Sequence, residues 1–383
     1  MAITATITSL TGFFLSPIFT GPLYLSATFF PSALRTAISS APAYLPETLS
    51  NTLLSWTESL LASSSPTRTT LGVFFLIGTL RLANRALNAA ATNAWSLRPS
   101  QSWPSFPSEL AVITGGSSGI GLAIANRLST RLGVKIAILD IQPPPPSILL
   151  SPTTKYYPCD ITSPASLSTT ARSIQTDFNQ SPTILINNAG IGTPAPILSV
   201  TPETLQKLFA VNLISLWFTT QQFLPPMIRH NKGHIITISS VSGFIGLPGG
   251  TDYCASKAGA LAFHEGLTTE LIHTYRAPGV LTTVVHPNFV RTGMTASWVE
   301  GLQKAGVRFM EADVVADKVV DAIESRRGGG MVVIPGHESF LMGIRAWPAW
   351  VGRALGDLVA TTTLRPWVEL PWEGKEEGGT RED

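Results

Sequence analysis

The stretch that decides the fold is Thr114-Gly115-Gly116-Ser117-Ser118-Gly119-Ile120-Gly121, into which the apolar run Leu110–Thr114 leads directly. Glycines at these positions let the chain turn sharply and let its backbone come close to a pyrophosphate. A helix that begins in this stretch points its free N–H groups and the positive end of its dipole at the same phosphates. Because strand, turn and helix follow in the required order, the pattern predicts a dinucleotide-binding turn, which an isolated glycine cluster would not.

The next predicted strand ends in a carboxylate that helps to distinguish NAD(H) from NADP(H). Asp140 closes the predicted strand Lys135–Asp140, where an acid can accept both ribose hydroxyls and would repel a 2′-phosphate. Ser118 stands where a basic residue would otherwise help to bind that phosphate, and Ile141 and Gln142 carry no charge. The sequence therefore favours NAD(H) over NADP(H). A structural role for Asp140 as a strand-end cap is the alternative.

Outward from the glycine turn, short β-branched runs alternate with longer amphipathic stretches. The predicted strands are Leu110–Thr114, Lys135–Asp140, Thr183–Asn187, His234–Ser239, Leu281–His286 and Met331–Ile334. The predicted helices include Gly119–Leu132, Pro202–Ile228 and Tyr253–His273. Alternation of this kind predicts parallel βαβ units, and hence an α/β fold with a Rossmann-type doubly wound parallel sheet and helices on both faces.

A phenol and an ammonium group lie four residues apart in Tyr253-Cys254-Ala255-Ser256-Lys257, at the start of a predicted helix. That spacing places Tyr253 and Lys257 on one helix face. An unperturbed phenol titrates near pH ~10, and an adjacent cation stabilises its phenolate. Ser240 ends the predicted strand His234–Ser239, where its hydroxyl can hold a substrate oxygen. In the company of the glycine turn, these residues predict a proton-transfer site.

These residues resemble the short-chain dehydrogenase/reductase family, and the likeness covers about Glu109 to Gly336. Further matches are Asn187-Asn188-Ala189-Gly190, Asp160 in Cys-Asp-Ile and Asn212 in Val-Asn-Leu. The resemblance implies that Asp160 touches the adenine and that Asn212 holds a proton-relay water. It also implies that Asn188 and Gly190 steady the central sheet and the cofactor.

The resemblance further implies a division of labour in hydride transfer. Tyr253 as phenolate removes the hydroxyl proton, Ser240 hydrogen-bonds the substrate oxygen, and Lys257 lowers the pKa of Tyr253 and binds the nicotinamide ribose. The catalytic candidates are thus Ser240, Tyr253, Lys257 and Asn212. The cofactor-binding candidates are Gly115, Ser117, Ser118, Gly119, Ile120, Gly121, Asp140, Asp160, Ile161, Asn188, Ala189, Gly190, Tyr253, Lys257, Pro287, Val290 and Thr292.

One departure from the family pattern narrows the resemblance. The family commonly has glycine after the proline of the nicotinamide loop, whereas this chain reads Pro287-Asn288-Phe289-Val290-Arg291-Thr292. That form is similar to the branch with epidermal retinol dehydrogenases and lipid-droplet 17β-hydroxysteroid dehydrogenases. The likeness implies membrane attachment and a lipophilic substrate. The expected lid, Met294 to Met310, includes Trp298, Leu302 and Phe309 and suits a retinoid, a steroid or a long-chain alcohol equally.

Residues 1–101 form an apolar region that we expect to anchor the protein in a membrane. Charge is absent until Arg35, and a span requires about 20 apolar residues. A cleaved signal peptide and a buried or disordered extension are the alternatives.

A second apolar run, Leu71–Leu80, is followed by Arg81 and Arg85. It predicts a helix that lies in the membrane interface or crosses the membrane, and a helix packed in the protein core is the alternative. Residues 102–108 read as a proline-containing linker.

The catalytic domain is expected over residues 109–336, and a Trp-rich amphipathic extension over residues 337–372. Trp347 and Trp350 lie in this extension with Arg345 and Arg353. Such a face suits a membrane interface, a lid over the substrate or a dimer contact. Residues 373–383, rich in glycine and charge, are expected to form a disordered tail.

Composition limits the classes of partner. The net charge is +2 without a long basic cluster, so nucleic acid is not an expected partner. Two cysteines are too few for a disulfide framework, which suits a domain facing the cytosol, and no spacing suggests a metal site. A homodimer is an open alternative to a monomer, because the predicted helices Pro202–Ile228 and Tyr253–His273 resemble those that build family dimers.

We therefore expect an oxidoreductase at the endoplasmic reticulum or lipid droplet that transfers hydride between NAD(H) and a lipophilic alcohol or carbonyl. A retinoid, a steroid and a long-chain alcohol are equally acceptable substrates. An NADPH-dependent membrane ketone or 3-ketoacyl reductase is the second hypothesis. The third is a non-catalytic lipid-droplet or nucleotide-sensing scaffold, against which the intact catalytic set argues.

Overall fold

The computed structural model describes residues 16–39, 47–62, 65–100, 103, 105–192, 194–304, 306–328 and 330–360. The chain divides into two compact units, residues 1–91 and 92–383. Part of the expected apolar segment (1–15), part of the expected linker (101, 102 and 104) and the expected tail (373–383) lie outside the described residues. The same holds for the extension beyond residue 360.

The first unit is helical where it is described. Its helices are α1 (Pro17–Phe29), α2 (Pro31–Ser39), α3 (Glu47–Leu61) and α4 (Pro66–Ala91). Ala27, Leu60 and Leu71 form a small buried cluster in it. By length and composition, α4 is the one helix in the described part of the chain that could cross a membrane, with 26 residues and a mean hydropathy of 1.2. The apolar run Leu71–Leu80 lies within this helix.

The second unit contains a seven-stranded parallel sheet in the order β3-β2-β1-β4-β5-β6-β9. Its strands are β1 (Leu110–Thr114), β2 (Lys135–Asp140), β3 (Thr154–Pro158), β4 (Ile184–Asn187), β5 (Gly233–Ile238), β6 (Val280–Pro287) and β9 (Gly330–Ile334). Two short strands, β7 (Val290–Arg291) and β8 (Met310–Glu311), pair separately. The predicted doubly wound parallel fold is confirmed, and the six predicted strands agree with the observed bounds to within one residue at each end.

Within the seven-stranded sheet, the one strand that the sequence analysis did not predict is β3; the two-residue strands β7 and β8 outside this sheet were not predicted either. Strand β3 pairs with β2 at one edge of the sheet, and its burial is incomplete. Thr154 and Tyr157 are buried, whereas Lys155 and Tyr156 are half-buried and Pro158 is exposed. A strand at an edge lacks the continuous apolar run that marks a central parallel strand, so its sequence gives a weak signal.

Helices cover both faces of the sheet. They are α5 (Gly119–Arg127), α6 (Pro146–Leu149), α7 (Pro164–Phe178), α8 (Pro202–Phe209), α9 (Ser215–His230), α10 (Thr251–His273), α11 (Val299–Lys304), α12 (Ala312–Glu324) and α13 (Ala349–Val359). The buried faces of α5 and α12 belong to one apolar cluster, and those of α7, α9 and α10 belong to another. Central strands are buried from both sides for this reason: all five residues of β1 and all eight of β6 are buried.

Local signals set the ends of these helices. Ser163 and Thr201 cap α7 and α8 by accepting hydrogen bonds from backbone N–H groups three residues on. Asn179 and Asn231 end α7 and α9 in the left-handed region. Between α8 and α9 the chain forms one π-helical turn, Ala210–Ile214, a feature that is frequent at functional sites.

Candidate active site

A cavity of about 950 Å³ lies against the carboxyl ends of the central strands, where open α/β sheets bind ligands. Residues that follow β1, β2, β4, β5 and β6 line it. From the sequence-predicted set, the lining includes Gly115, Ser118, Gly119, Ile120, Asp140, Asp160, Ile161, Asn188, Ala189, Gly190, Ser240, Tyr253, Lys257, Pro287, Val290 and Thr292. Ser117, Gly121 and Asn212 lie outside the lining, and their predicted roles stay predictions.

The glycine turn adopts the conformation that its sequence predicts. Gly115 and Gly119 have φ values of +63° and +52°, in the left-handed region that favours glycine. A Cβ on Gly121 would lie 2.2 Å from the carbonyl oxygen of Gly115, so Gly121 allows α5 to pack closely against the turn. The first N–H groups of α5 lack partners within the helix and begin at the cavity-lining residues Gly119 and Ile120. The turn therefore fits a phosphate-bearing cofactor.

Asp140 is held in place at the end of β2. Its Oδ2 accepts a hydrogen bond from the Ser117 N–H at 3.0 Å, and its Oδ1 accepts one from the Gln142 N–H at 3.2 Å. The carboxylate thereby connects β2 to the glycine turn. Ser117 Oγ is buried and has no hydrogen-bond partner among the described atoms. Both features fit the sugar and phosphate end of a dinucleotide.

Asn188 joins the ends of β1 and β4. Its Nδ2 donates to the carbonyl oxygens of Thr114 and Gly115, each at 3.0 Å. The Oγ1 of Thr114 accepts in return from the backbone N–H groups of Asn188 and Ala189, at 3.0 and 3.1 Å. These bonds fix the floor of the cavity where the two strands end.

Ser240, Tyr253 and Lys257 meet at the other end of the cavity. The Ser240 hydroxyl lies near enough to the Tyr253 hydroxyl to lower the pKa of Tyr253. The Nζ of Lys257 lies 5.5 Å from the centroid of the Tyr253 ring and donates to the carbonyl oxygen of Ile238 at 3.0 Å. Ser240 Oγ also donates to the carbonyl oxygen of Pro287 at 3.3 Å. The structure thus brings together the three side chains on which the predicted chemistry depends.

Burial is the main cause of the pKa shifts of Tyr253 and Lys257. It raises the pKa of Tyr253 to about 12, against the smaller lowering effect of the Ser240 hydroxyl. Burial also lowers the pKa of Lys257 to about 8. Burial is the largest influence on the pKa of Tyr253 and acts against the lowering by Lys257 that the resemblance implies; that effect of Lys257 stays a prediction. Tyr253 at neutral pH is therefore a proton donor.

Asn212 lies in the π-helical turn and is buried. Its Oδ1 accepts from the Ile191 N–H and its Nδ2 donates to the Ile191 carbonyl oxygen, both at 2.8 Å. Its Nδ2 also contacts Ser256 Oγ at 3.1 Å. Asn212 therefore fixes the loop that follows β4, directly beside the cavity. Its predicted part in a proton relay stays a prediction.

Several cavity-lining residues were missed in the sequence. They follow the carboxyl ends of β4 and β5, and the position after a parallel strand was the available signal. They include Ile191, Gly192, Pro194, Leu247 and Pro248. From the expected lid, Met294, Trp298 and Leu302 line the cavity, whereas Phe309 packs behind it on Phe289 with ring centroids 5.6 Å apart.

Three histidines of the second unit are buried on β5, α10 and β6. Burial lowers the pKa of His234 and His264 to about 3 and that of His286 to about 4. His234 Nε2 contacts Thr283 Oγ1 at 2.9 Å, and neutral His286 donates from Nδ1 to the carbonyl oxygen of Ser240 at 2.9 Å. All three side chains are neutral in the folded protein.

These histidines predict a loss of stability in acid. An unfolded histidine titrates near pH ~6.5, so below this pH the unfolded chain binds more protons than the folded one and stability falls with pH. At about pH 5 each histidine removes about 2 kcal/mol of unfolding free energy. Urea unfolding of the full chain in detergent at about pH 7.5 and about pH 5 measures this loss. The loss is expected to be smaller in His234→Gln, whose amide can keep the bond to Thr283; an equal loss in both proteins would contradict the assignment.

Residues 109–303 match the family model described as short chain dehydrogenase. Dehydrogenase RED2 of Cochliobolus heterostrophus is 42% identical over 207 residues, which cover 52% of this chain and 77% of that protein. Human epidermal retinol dehydrogenase 2 is 32% identical over 222 residues, covering 56% and 71% of the two chains. Estradiol 17-beta-dehydrogenase 11 of Macaca fascicularis is 29% identical over 239 residues, covering 61% and 77%.

A solved structure shares the fold. The crystal structure of a short-chain type dehydrogenase/reductase from Mycobacterium marinum aligns with a TM-score of 0.54 and 22% identity, over 60% of this chain and 95% of that chain. The family match covers the glycine turn, Asp140 and the Ser240, Tyr253 and Lys257 group. The chain therefore belongs to the short-chain dehydrogenase family, in the branch of the 17β-hydroxysteroid and epidermal retinol dehydrogenases, and is an NAD(P)-dependent oxidoreductase acting on alcohols and carbonyls.

Proposed function

We propose that the protein interconverts a lipophilic alcohol and its carbonyl with NAD(H) as cofactor, at a membrane or lipid-droplet surface. The observation that carries the proposal is one cavity with Asp140 and the glycine turn at one end and Ser240, Tyr253 and Lys257 at the other. Its volume lies at the upper end of the range for ligand sites, about 300–1,000 Å³, which suits a dinucleotide beside a second molecule.

The cofactor would be held by three parts of the chain. The N–H groups at the start of α5 would bind the pyrophosphate, Asp140 the adenosine ribose, and Lys257 the nicotinamide ribose. Asp160 and Ile161 line the cavity where the adenine would lie, and Pro287, Val290 and Thr292 line it where the nicotinamide would lie. A bound nicotinamide dinucleotide supplies or accepts the hydride.

Proton transfer is the task of Tyr253. In reduction, its protonated hydroxyl gives a proton to the carbonyl oxygen of the substrate; in oxidation, its deprotonated oxygen takes the proton of the alcohol. Ser240 donates a hydrogen bond to the same substrate oxygen as negative charge develops there. Lys257, buried beside the Tyr253 ring, stabilises the phenolate when it is formed.

The substrate side of the cavity is apolar. Ile191, Leu247, Phe289, Met294 and Trp298 line it. Apolar lining with few polar groups favours a lipophilic substrate, whose reacting oxygen is the group that needs hydrogen bonds. The names of the relatives, an estradiol dehydrogenase and a retinol dehydrogenase, support a steroid or a retinoid as the substrate, and the apolar lining is equally compatible with a long-chain alcohol.

Membrane attachment is part of the proposal. The helix α4, Pro66–Ala91, is long enough to cross a hydrocarbon core of about 30 Å, and 11% of its most apolar window is buried within the protein. Arg81 and Arg85 lie in its second half, and an excess of arginine marks the cytosolic side, so we place the catalytic domain in the cytosol. The lipophilic substrate would then reach the enzyme from the membrane.

A substrate panel tests the proposal. The full chain in detergent is incubated with retinol, a 17β-hydroxysteroid and a long-chain alcohol, each with NAD and with NADP. We expect turnover of a lipophilic alcohol with NAD and weak turnover of short, polar alcohols. Turnover confined to NADPH and a ketone would contradict the NAD assignment, and a wild-type protein inert on the whole panel in both directions would support a non-catalytic scaffold.

A further inference from the structure

A 3₁₀ helix at the start of the C-terminal extension, Gly336–Ala346, follows β9 directly and packs against the catalytic domain. We call these residues the C-terminal clamp. Ile344 of the clamp is buried in a cluster with Val241, Phe244 and Val333. The clamp does not line the cavity as described, so it is not a lid over the substrate. Its polar side chains reach the backs of two loops that do line the cavity.

The first contact is with the loop that carries Ser240. The Nε of Arg345 donates to the carbonyl oxygen of Phe244 at 3.1 Å, and its Nη2 donates to that of Gly243 at 3.3 Å. These carbonyls lie at the end of the short 3₁₀ helix Val241–Gly243, where helical carbonyl groups lack partners within the helix. One guanidinium group thereby fixes the end of this helix.

That short helix is built on Ser240 itself. The hydroxyl oxygen of Ser240 accepts a hydrogen bond from the Ser242 N–H at 3.2 Å, and its carbonyl oxygen accepts one from the Gly243 N–H at 3.0 Å. A shift of the helix end therefore moves the Ser240 side chain, because the hydroxyl is its cap. The Gly243 carbonyl group that Arg345 binds lies three residues along the backbone from Ser240.

The second contact is with the nicotinamide loop. The Oε2 of Glu338 accepts a hydrogen bond from Asn288 Nδ2 at 2.8 Å, and the side chain of Glu338 is 20% exposed. The N–H of Asn288 donates to the carbonyl oxygen of Ile334 at 2.8 Å, in the strand that leads into the clamp. Asn288 is the residue that replaces the family's usual glycine. Its side chain thus has a partner on the clamp.

The two loops meet at the catalytic hydroxyl. Ser240 Oγ donates to the carbonyl oxygen of Pro287, the residue before Asn288. We propose that the C-terminal clamp sets the position of the Ser240 hydroxyl relative to the Pro287–Asn288 loop, with Arg345 and Glu338 as positioning residues for hydride and proton transfer. The proposal rests on the role of Ser240 in binding the substrate oxygen, as proposed above.

Four variants of the full chain in detergent test the clamp: Arg345→Ala, Glu338→Ala, Glu338→Gln and, as a control, Arg353→Ala. Arg353 lies in the same extension, is 81% exposed and pairs with Asp357. Loss of a hydrogen bond of about 1–1.5 kcal/mol predicts a fall in kcat of roughly 5- to 10-fold for Arg345→Ala and Glu338→Ala. The dissociation constant of NADH, followed by its fluorescence, is expected to stay unchanged in Arg345→Ala, because Arg345 contacts the loop of Ser240 and not the loop that would hold the nicotinamide. Glu338→Gln keeps an acceptor for Asn288 and is expected to recover most of the activity.

Hydrogen exchange supplies a readout that needs no substrate. The amides of Ser242, Gly243 and Phe244 are expected to exchange faster in Arg345→Ala than in wild type or Arg353→Ala, without nucleotide. Equal exchange and equal kcat in Arg345→Ala and Arg353→Ala would overturn the clamp. If Arg345→Ala does not fold, Arg345→Lys replaces it, because a lysine cannot reach both carbonyl groups with a rigid fork. An inert wild type would refute the proposed function, and the exchange rates would still decide whether the clamp holds the loop.

Discussion

The Tyr253→Phe variant is expected to lose activity by roughly 10³-fold in kcat/KM, within the range of general acid–base catalysis. The substitution removes one oxygen atom and leaves the ring, whose centroid lies 5.5 Å from Lys257 Nζ. Because the pKa of Tyr253 is raised to about 12, its hydroxyl is the proton donor at neutral pH, and no other phenol lines the cavity as described. Carbonyl reduction therefore loses its acid, and alcohol oxidation loses its base.

Binding and turnover separate this effect from misfolding. NADH binding, followed by fluorescence, is expected to change little in Tyr253→Phe, since the glycine turn and Asp140 are intact. Tyr275→Phe is the matched control, because Tyr275 is 42% exposed in the turn after α10 and lies outside the cavity lining. Activity of Tyr253→Phe within about threefold of Tyr275→Phe, well short of a 10²-fold acid–base effect, would show that another group transfers the proton.

Much of the fold could be predicted from the sequence, because the central strands are rich in apolar residues. All residues of β1 (Leu-Ala-Val-Ile-Thr) and β4 (Ile-Leu-Ile-Asn) are buried, and their apolar runs are what a parallel strand covered on both faces requires. The glycine turn was readable because a left-handed backbone and a close helix approach require glycine at Gly115, Gly119 and Gly121. The edge strand β3 could not be predicted, because it has no run of buried apolar residues: only Thr154 and Tyr157 of its five residues are buried.

The pKa values of the site residues depend on how deeply each side chain is buried, and the sequence alone does not give this burial. The spacing of Tyr253 and Lys257 correctly indicates that they share a helix face, but the sign of the pKa shift of Tyr253 follows from how little water reaches it. The contact of Arg345 with Phe244 also could not be predicted from the sequence. It joins residues 101 positions apart, and no local pattern specifies such a pair.

Replacement of Asp140 by asparagine is expected to shift cofactor preference toward NADP by about 100-fold, measured as the ratio of kcat/KM for the two cofactors. A hydrogen bond to a charged group contributes about 1.5–3 kcal/mol, and Asp140→Asn weakens the bond of this kind that NAD would make with its ribose hydroxyls. The variant also removes the negative charge that would repel the 2′-phosphate of NADP. Asparagine keeps an oxygen that can accept from the Ser117 N–H, which Asp140 holds at 3.0 Å, so the glycine turn is preserved. Addition of Ile141→Arg supplies a cation at a cavity-lining position that is 72% exposed, and reverses the preference.

Asp160→Asn is the matched control, because it also removes a carboxylate from the cavity lining, but one that follows β3 at the adenine end and accepts from Thr162. Both cofactors carry the same adenine, so this change is expected to alter their kcat/KM values by the same factor. If Asp140→Asn also weakened both cofactors equally, the carboxylate would serve the turn rather than the ribose, and Asp140 would be a strand-end cap. A wild-type preference for NADP would contradict the proposal that Asp140 binds the ribose of NAD, because a carboxylate near the 2′-phosphate lowers the affinity for NADP.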